Sequence, residues 1–156
     1  MATSIPIQIR DVLIAAVGNI SVANSYRTNN VTTDHRLIKA DMLPVQQRLA
    51  HFACRWTGRT SEPQGNISIA NASYLALVKM ENATEDSFAL FLEDIEAAIA
   101  NMALTQVDGT YYALLQAYVS EIRLVDVEEP SDDRIQEAEM TIVAMYKYAP
   151  EMIAGV

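Results

Sequence analysis

Few groupings of side chains in this sequence have the types and spacing that chemistry needs. Asp34 and His35, with Asp41 close behind, could act as an acid–base pair or as metal ligands. No second His or Cys stands at ligand spacing, and the segment is polar, so a surface loop is the expectation. His51 and Cys54 could form a base and a thiolate nucleophile. Three residues apart on a strand, they would face opposite sides. Cys54 is then expected in the core and His51 outward. Glu93, Asp94 and Glu96 could pair as carboxylates for general acid–base work. On an amphipathic helix they read more simply as its solvated face. Glu128, Glu129, Asp132 and Asp133 could hold a hard cation, but Pro130 interrupts them and they do not match the EF-hand pattern. No catalytic, cofactor-binding or metal-ligating residue is assigned.

The motifs of other chemistries are missing from the sequence. It has no phosphate-binding glycine loop, no dinucleotide glycine pattern and no Gly-x-Ser-x-Gly elbow. Cys54 is the only cysteine, which excludes an intramolecular disulfide and a cysteine zinc cluster within one chain. The net charge of -9 argues against gripping nucleic acid by neutralising phosphates, and against docking on anionic lipid. No apolar run approaches the ~20 residues a membrane helix needs, and the opening residues do not read as a signal peptide. The charge is unevenly distributed. Arg10, Arg27, Arg36, Arg48, Arg55 and Arg59 fall within the first 60 residues, and acids dominate the rest. Such a domain can bind copies of itself head to tail in a ring, or can mingle both signs on one folded surface; both readings stay open.

Length and composition set the frame for these groups. The 156 residues suit one domain spanning 1–156, and 51% hydrophobic residues exclude a disordered chain. Ile9, Val12, Leu13, Ala16 and Val17 recur at helical spacing, with Ser4 as N-cap, Pro6 in the first turn and Gly18-Asn19 as the stop. Residues 21–41 read as a loop, with one short strand around Arg36–Lys39. A half-buried strand follows Pro44. Gly58 to Gly65, with Pro63, reads as a turn region. Ile67–Met80 reads as a central strand covered on both faces. Thr84, Glu85 and Asp86 open a helix whose stripe is Phe88, Phe91, Leu92, Ile95, Ile99 and Met102. Asp108-Gly109 is expected to turn, and Tyr111–Leu115 to form a short helical turn. Two strands close the chain, about 118–127 and 136–148, joined by the acidic loop 128–133. The expected fold is α+β: a small, mainly antiparallel sheet of about four strands with flanking helices.

The order of elements carries a resemblance. An N-terminal amphipathic helix (Ile5–Val17) leads to a polar loop and Leu43-Pro44 before a strand. The long strand Asn66–Met80 runs directly into the acidic-capped helix Thr84–Met102. Asp108-Gly109 follows, and a final hairpin ends in Met140-Thr-Ile-Val-Ala-Met-Tyr146. This pattern resembles the tail terminator proteins of long-tailed bacteriophages, of the lambda type and its contractile-tail relatives. The segment after Leu43-Pro44 departs from it, being more charged (Arg48, Arg55) than an apolar strand. The resemblance implies a virion protein without enzymatic activity or cofactor. Six copies would form a ring that caps the tail tube, stops its polymerisation and joins the tail to the neck or head. Its partners would be the tail tube protein, the sheath if the tail is contractile, and a neck or connector protein. DNA would pass through without specific binding, and no membrane would be involved. The ring would sit at the head-proximal end of the tail, after assembly in the host cytoplasm. The alternatives are another neck connector or tail completion protein, or a small ligand-binding module or enzyme built on the Asp34-His35-Asp41 loop and the acidic clusters.

Overall fold

The computed structural model describes residues 4–28, 31–37, 50–81, 83–104, 108–109, 111–125 and 135–150. Helix α1 spans Ile5–Gly18. Pro6 lies in its first turn, where a missing N–H costs nothing. Ser4 takes the N-cap backbone conformation, but its side chain makes no capping bond, so the cap expected of its hydroxyl is not formed. Ile5, Ile9, Leu13 and Val17, four apart, are its buried stripe. The Asn19 N–H bonds back to the carbonyls of Ala15 and Ala16 and closes the helix. A 3-10 turn at Val22–Asn24 follows.

Strand β1 (Thr32–Asp34) pairs parallel with the start of β2 (His51–Gln64). The short strand expected near Arg36 therefore lies earlier, on the β-branched Thr32 and Thr33. β3 (Ile67–Glu81), β5 (Tyr112–Leu124) and β6 (Ile135–Tyr148) complete the main sheet, and the two-residue β4 (Asp108–Gly109) lies at its far edge. The order is β1-β2-β3-β6-β5-β4. Every pairing except β1–β2 is antiparallel. The α+β class and the mainly antiparallel character hold. The count of about four strands does not: the sheet is mixed and has five strands, with β4 as a minimal sixth.

Two expected turn regions are strand. Gly58 does not break β2. One extra residue, Thr57, is accommodated as a bulge between Trp56 and Gly58, and Gly58 takes φ 150°, which side chains resist. β2 then runs on to Gln64, with Pro63 tolerated because the strand is at the sheet edge there. The hairpin closes at Gly65 (φ 70°). Likewise Tyr111–Leu115 is not helical. Tyr111 (φ 69°) turns the chain, Asp108–Gly109 pairs as β4, and β5 begins at Tyr112. The acidic loop 128–133 lies outside the described residues, although the strands flanking it pair as expected.

Helix α2 (Glu85–Leu104) opens with a reciprocal cap. The Ser87 N–H donates to Thr84 Oγ1 at 3.1 Å, and the Thr84 N–H donates to Ser87 Oγ at 2.9 Å. Phe88, Phe91, Ile95 and Ile99 form its buried face. They join Ile9, Leu13 and Val17 of α1 over one side of the sheet, against Phe52, Cys54, Tyr74, Val78, Met140 and Ile142. Alanines 70, 72, 76, 138 and 144 on that side leave room for the large side chains. The buried Tyr74 hydroxyl donates to the Pro6 carbonyl at 2.6 Å and ties β3 to the start of α1. β3 is central, as expected, but not covered alike on both faces. On the face away from the helices, Ile69, Asn71, Ser73, Leu75 and Leu77 stay half-exposed.

Candidate functional site

The Asp34–His35 pair closes a turn after β1. The Asp34 carboxylate accepts the N–H groups of His35 (2.7 Å) and Arg36 (3.1 Å), and the Arg36 guanidinium at 3.2 Å. Partial burial opposes ionisation, but the bonds from Arg36 and His35 prevail and hold the carboxyl below its ordinary range. Its lone pairs are committed to the turn. His35 Nδ1 lies 3.5 Å away, with the ring exposed. Asp41 lies outside the described residues, as do Glu128, Glu129, Asp132, Asp133 and Arg48. Among the described residues, no three His, Cys, Asp or Glu side chains are placed to share a metal ion.

His51 and Cys54 lie on opposite faces of the sheet. Cys54 sits in the core, where burial pushes its thiol up to about 12, so no thiolate forms near neutral pH. His51 does not point into solvent as expected. It is fully buried on the face away from the helices, across the ladder from Lys79 and next to Ala53 on that face. The alternation of β2 suggested one wet face, but residues 51–54 are buried on both faces. Among the described residues, neither His51 ring nitrogen has a hydrogen-bond partner. Burial first, then the charge on Lys79, lower its pKa, while Asp34 pulls the other way.

The carboxylates of α2 divide. Glu93 and Glu96 are exposed, as expected of a solvated face, but Asp94 is buried. It accepts the Arg27 N–H at 2.9 Å and the Arg27 Nε at 3.3 Å, while Glu93 accepts Arg27 Nη2 at 2.7 Å. The three groups clamp the segment after α1 onto α2. Arg10 pairs with Asp11, and Arg36 with Asp34. Arg59 donates to the Tyr146 hydroxyl at 3.3 Å and lies 5.3 Å from the centre of the Tyr148 ring. It pins the far part of β2 to the sheet. Among the described candidates, Asp34 stands beside His35 and within electrostatic reach of His51, His51 and Cys54 lie on opposite faces of the sheet, and Asp94 is taken up by Arg27.

What the described residues do present is two open sheet edges. β1 covers β2 only at 51–53, and β4 covers β5 only at 112–113. Of the large exposed apolar side chains, Trp56 belongs to the first edge, and Leu115, Tyr118 and Leu124 to the second. Such edges are sites for another strand.

No family model matches the chain, and no curated protein matches it. A solved structure does. A chain described as "Virion of native gene transfer agent (GTA) particle" superposes with a TM-score of 0.52 at 10% identity, covering 91% of this chain and 89% of that one. The likeness is one of fold and extends over nearly the whole of both chains.

The sequence led us to expect strand edges available to neighbours, but not which strands carry them. Strands 54–64 and 114–124 lack a clean apolar alternation because much of each is exposed on both faces. The one available signal was the set of large apolar residues, Trp56, Tyr118 and Leu124, set among polar neighbours. No described helix is long and apolar enough to cross a membrane.

Proposed function

We propose that this chain is a structural protein of a phage-like virion and acts as a tail terminator. In this reading six copies form a ring on the last layer of the tail tube. The ring stops tube growth and provides the surface for the neck or connector protein, and for the sheath if the tail contracts. DNA passes through the ring without base recognition, consistent with an overall charge of -9. The chain acts through its shape and contacts, and none of its side chains makes or breaks bonds.

The observation that carries the reading is the fold likeness to a chain of a virion particle over 91% of this sequence. The order of elements, which resembles the terminators, supports the finer role. So do the two open edges of the sheet, since a ring of identical subunits needs two different contact faces on each copy. The test is a polymerisation assay with the tail tube protein encoded with this chain. The expected result is that tubes assembled with the chain are shorter and carry a ring at one end in negative-stain images. Tubes that grow to the same length with bare ends would overturn the terminator role. Binding to a neck protein without effect on the tube would assign the chain to the neck instead.

A further inference from the structure

We propose that copies of this chain join by adding the open edge of β2 in one copy to the open edge of β5 in the next, as an antiparallel ladder pairing residues 54–60 with residues 116–122. This deepens the ring reading by naming its contact. β2 and β5 are separated by three antiparallel steps, so they run in opposite directions. A second copy rotated about an axis along the strands therefore brings its β2 against β5 in antiparallel sense.

The heights agree as well. Across the sheet, Arg55 is level with Leu75, Thr141 and Glu121. Gly58 is level with Ser73, Val143 and Tyr118, and Thr60 with Asn71, Met145 and Gln116. β1 blocks the β2 edge at one end of this window and β4 blocks the β5 edge at the other, which leaves the stretch between them free among the described residues.

The bulges give the strongest support. Within the window β2 carries one extra residue, between Trp56 and Gly58, and β5 carries one, between Val119 and Glu121. Relative to the interior strands each edge is one residue too long, but relative to each other the edges match. A single unbroken register pairs Arg55 with Glu121, Gly58 with Tyr118 and Thr60 with Gln116. Arg55 has no ion-pair partner among the described residues, and both Arg55 and Glu121 are exposed on the same face. They become a cross-strand charge pair. The Tyr118 ring, 40% exposed in the single chain, would cover the bare backbone of Gly58. An unrelated strand would not match both bulges, so the same irregularities bias the edge towards a second copy.

The test uses the full chain with Thr60→Cys and Gln116→Cys together, oxidised over a concentration series and read on non-reducing gels. The expected result is a ladder of disulfide-linked oligomers that neither single variant gives. Adding Glu121→Arg should reduce cross-linking by roughly tenfold, because like charges then face each other, and adding Arg55→Glu as well should restore it. Far-UV circular dichroism confirms that each variant is folded. Absence of interchain disulfides at every concentration, or cross-linking indifferent to both charge changes, overturns the proposal. Native mass spectrometry separates it from the ring reading. Rings that persist in the Glu121→Arg chain without cross-links would overturn the edge pairing and leave the ring. Cross-linked chains that never close would support the pairing and count against the ring.

Discussion

The Arg27–Asp94 clamp yields a quantitative prediction, because two adjacent carboxylates share one arginine in different surroundings. The Asp94 side chain is 5% exposed and the Glu93 side chain 61%. Asp94 also accepts a backbone N–H, that of Arg27, at 2.9 Å. A hydrogen bond to a charged acceptor contributes about 1.5–3 kcal/mol, and losing it leaves the donor short of a partner. Asp94→Ala should therefore cost about 2–3 kcal/mol. For a chain of this size each kcal/mol lowers the melting temperature by about 2–4 °C, so the variant should melt roughly 5–10 °C lower. Asp94→Asn keeps an acceptor for the N–H but loses the charge, and should fall about midway. Glu93→Ala removes only the exposed partner and should stay within about 2 °C of the parent. Thermal unfolding followed by far-UV circular dichroism reads all three. If Glu93→Ala costs as much as Asp94→Ala, or if Asp94→Ala is neutral, the burial-based assignment is wrong.

Three further outcomes follow from the fold. Cys54, buried with its thiol pushed up to about 12, should resist iodoacetamide at pH 8 in the folded chain and react once unfolded, as read by intact mass. His51, whose folded pKa is depressed below the ordinary 6.5, binds fewer protons folded than unfolded. Its neutral form supports the fold above that value, and the support is lost as pH falls below it. The melting temperature should therefore drop between about pH 7 and about pH 5, and His51→Leu should flatten that slope; an unchanged slope would refute the role of His51. Gly58→Val should destabilise by about 1–3 kcal/mol in chemical denaturation, through backbone strain at φ 150° and not through a clash, since nothing lies within 4 Å of the added Cβ.

Elements governed by one regular period were legible in sequence. α1 and α2 keep a buried stripe at helical spacing, and β3 and β6 alternate over their length. β2 and β5 were misjudged because bulges reverse their alternation, at Thr57 in the first and at Leu115 and Ser120 in the second. Gly58 and Tyr111 both take positive φ, yet one lies at a bulge within a strand and the other just before one. β1 is too short to show a period. Asp94 looked solvated because Arg27, its partner, is distant in sequence and no local spacing announces it. His51 looked exposed because strand alternation says nothing of what covers the second face of a sheet. The level placement of Arg55 and Glu121 depends on the register of four strands, which residue types alone do not specify.

Cryo-electron microscopy of assembled particles containing the chain puts its proposed role as a self-associating part of a virion to the sharpest test. One ring of six copies is expected at the head-proximal end of the tail, with neighbouring sheets joined edge to edge. Particles that assemble fully without the chain, or that hold it as isolated single copies, would refute that role.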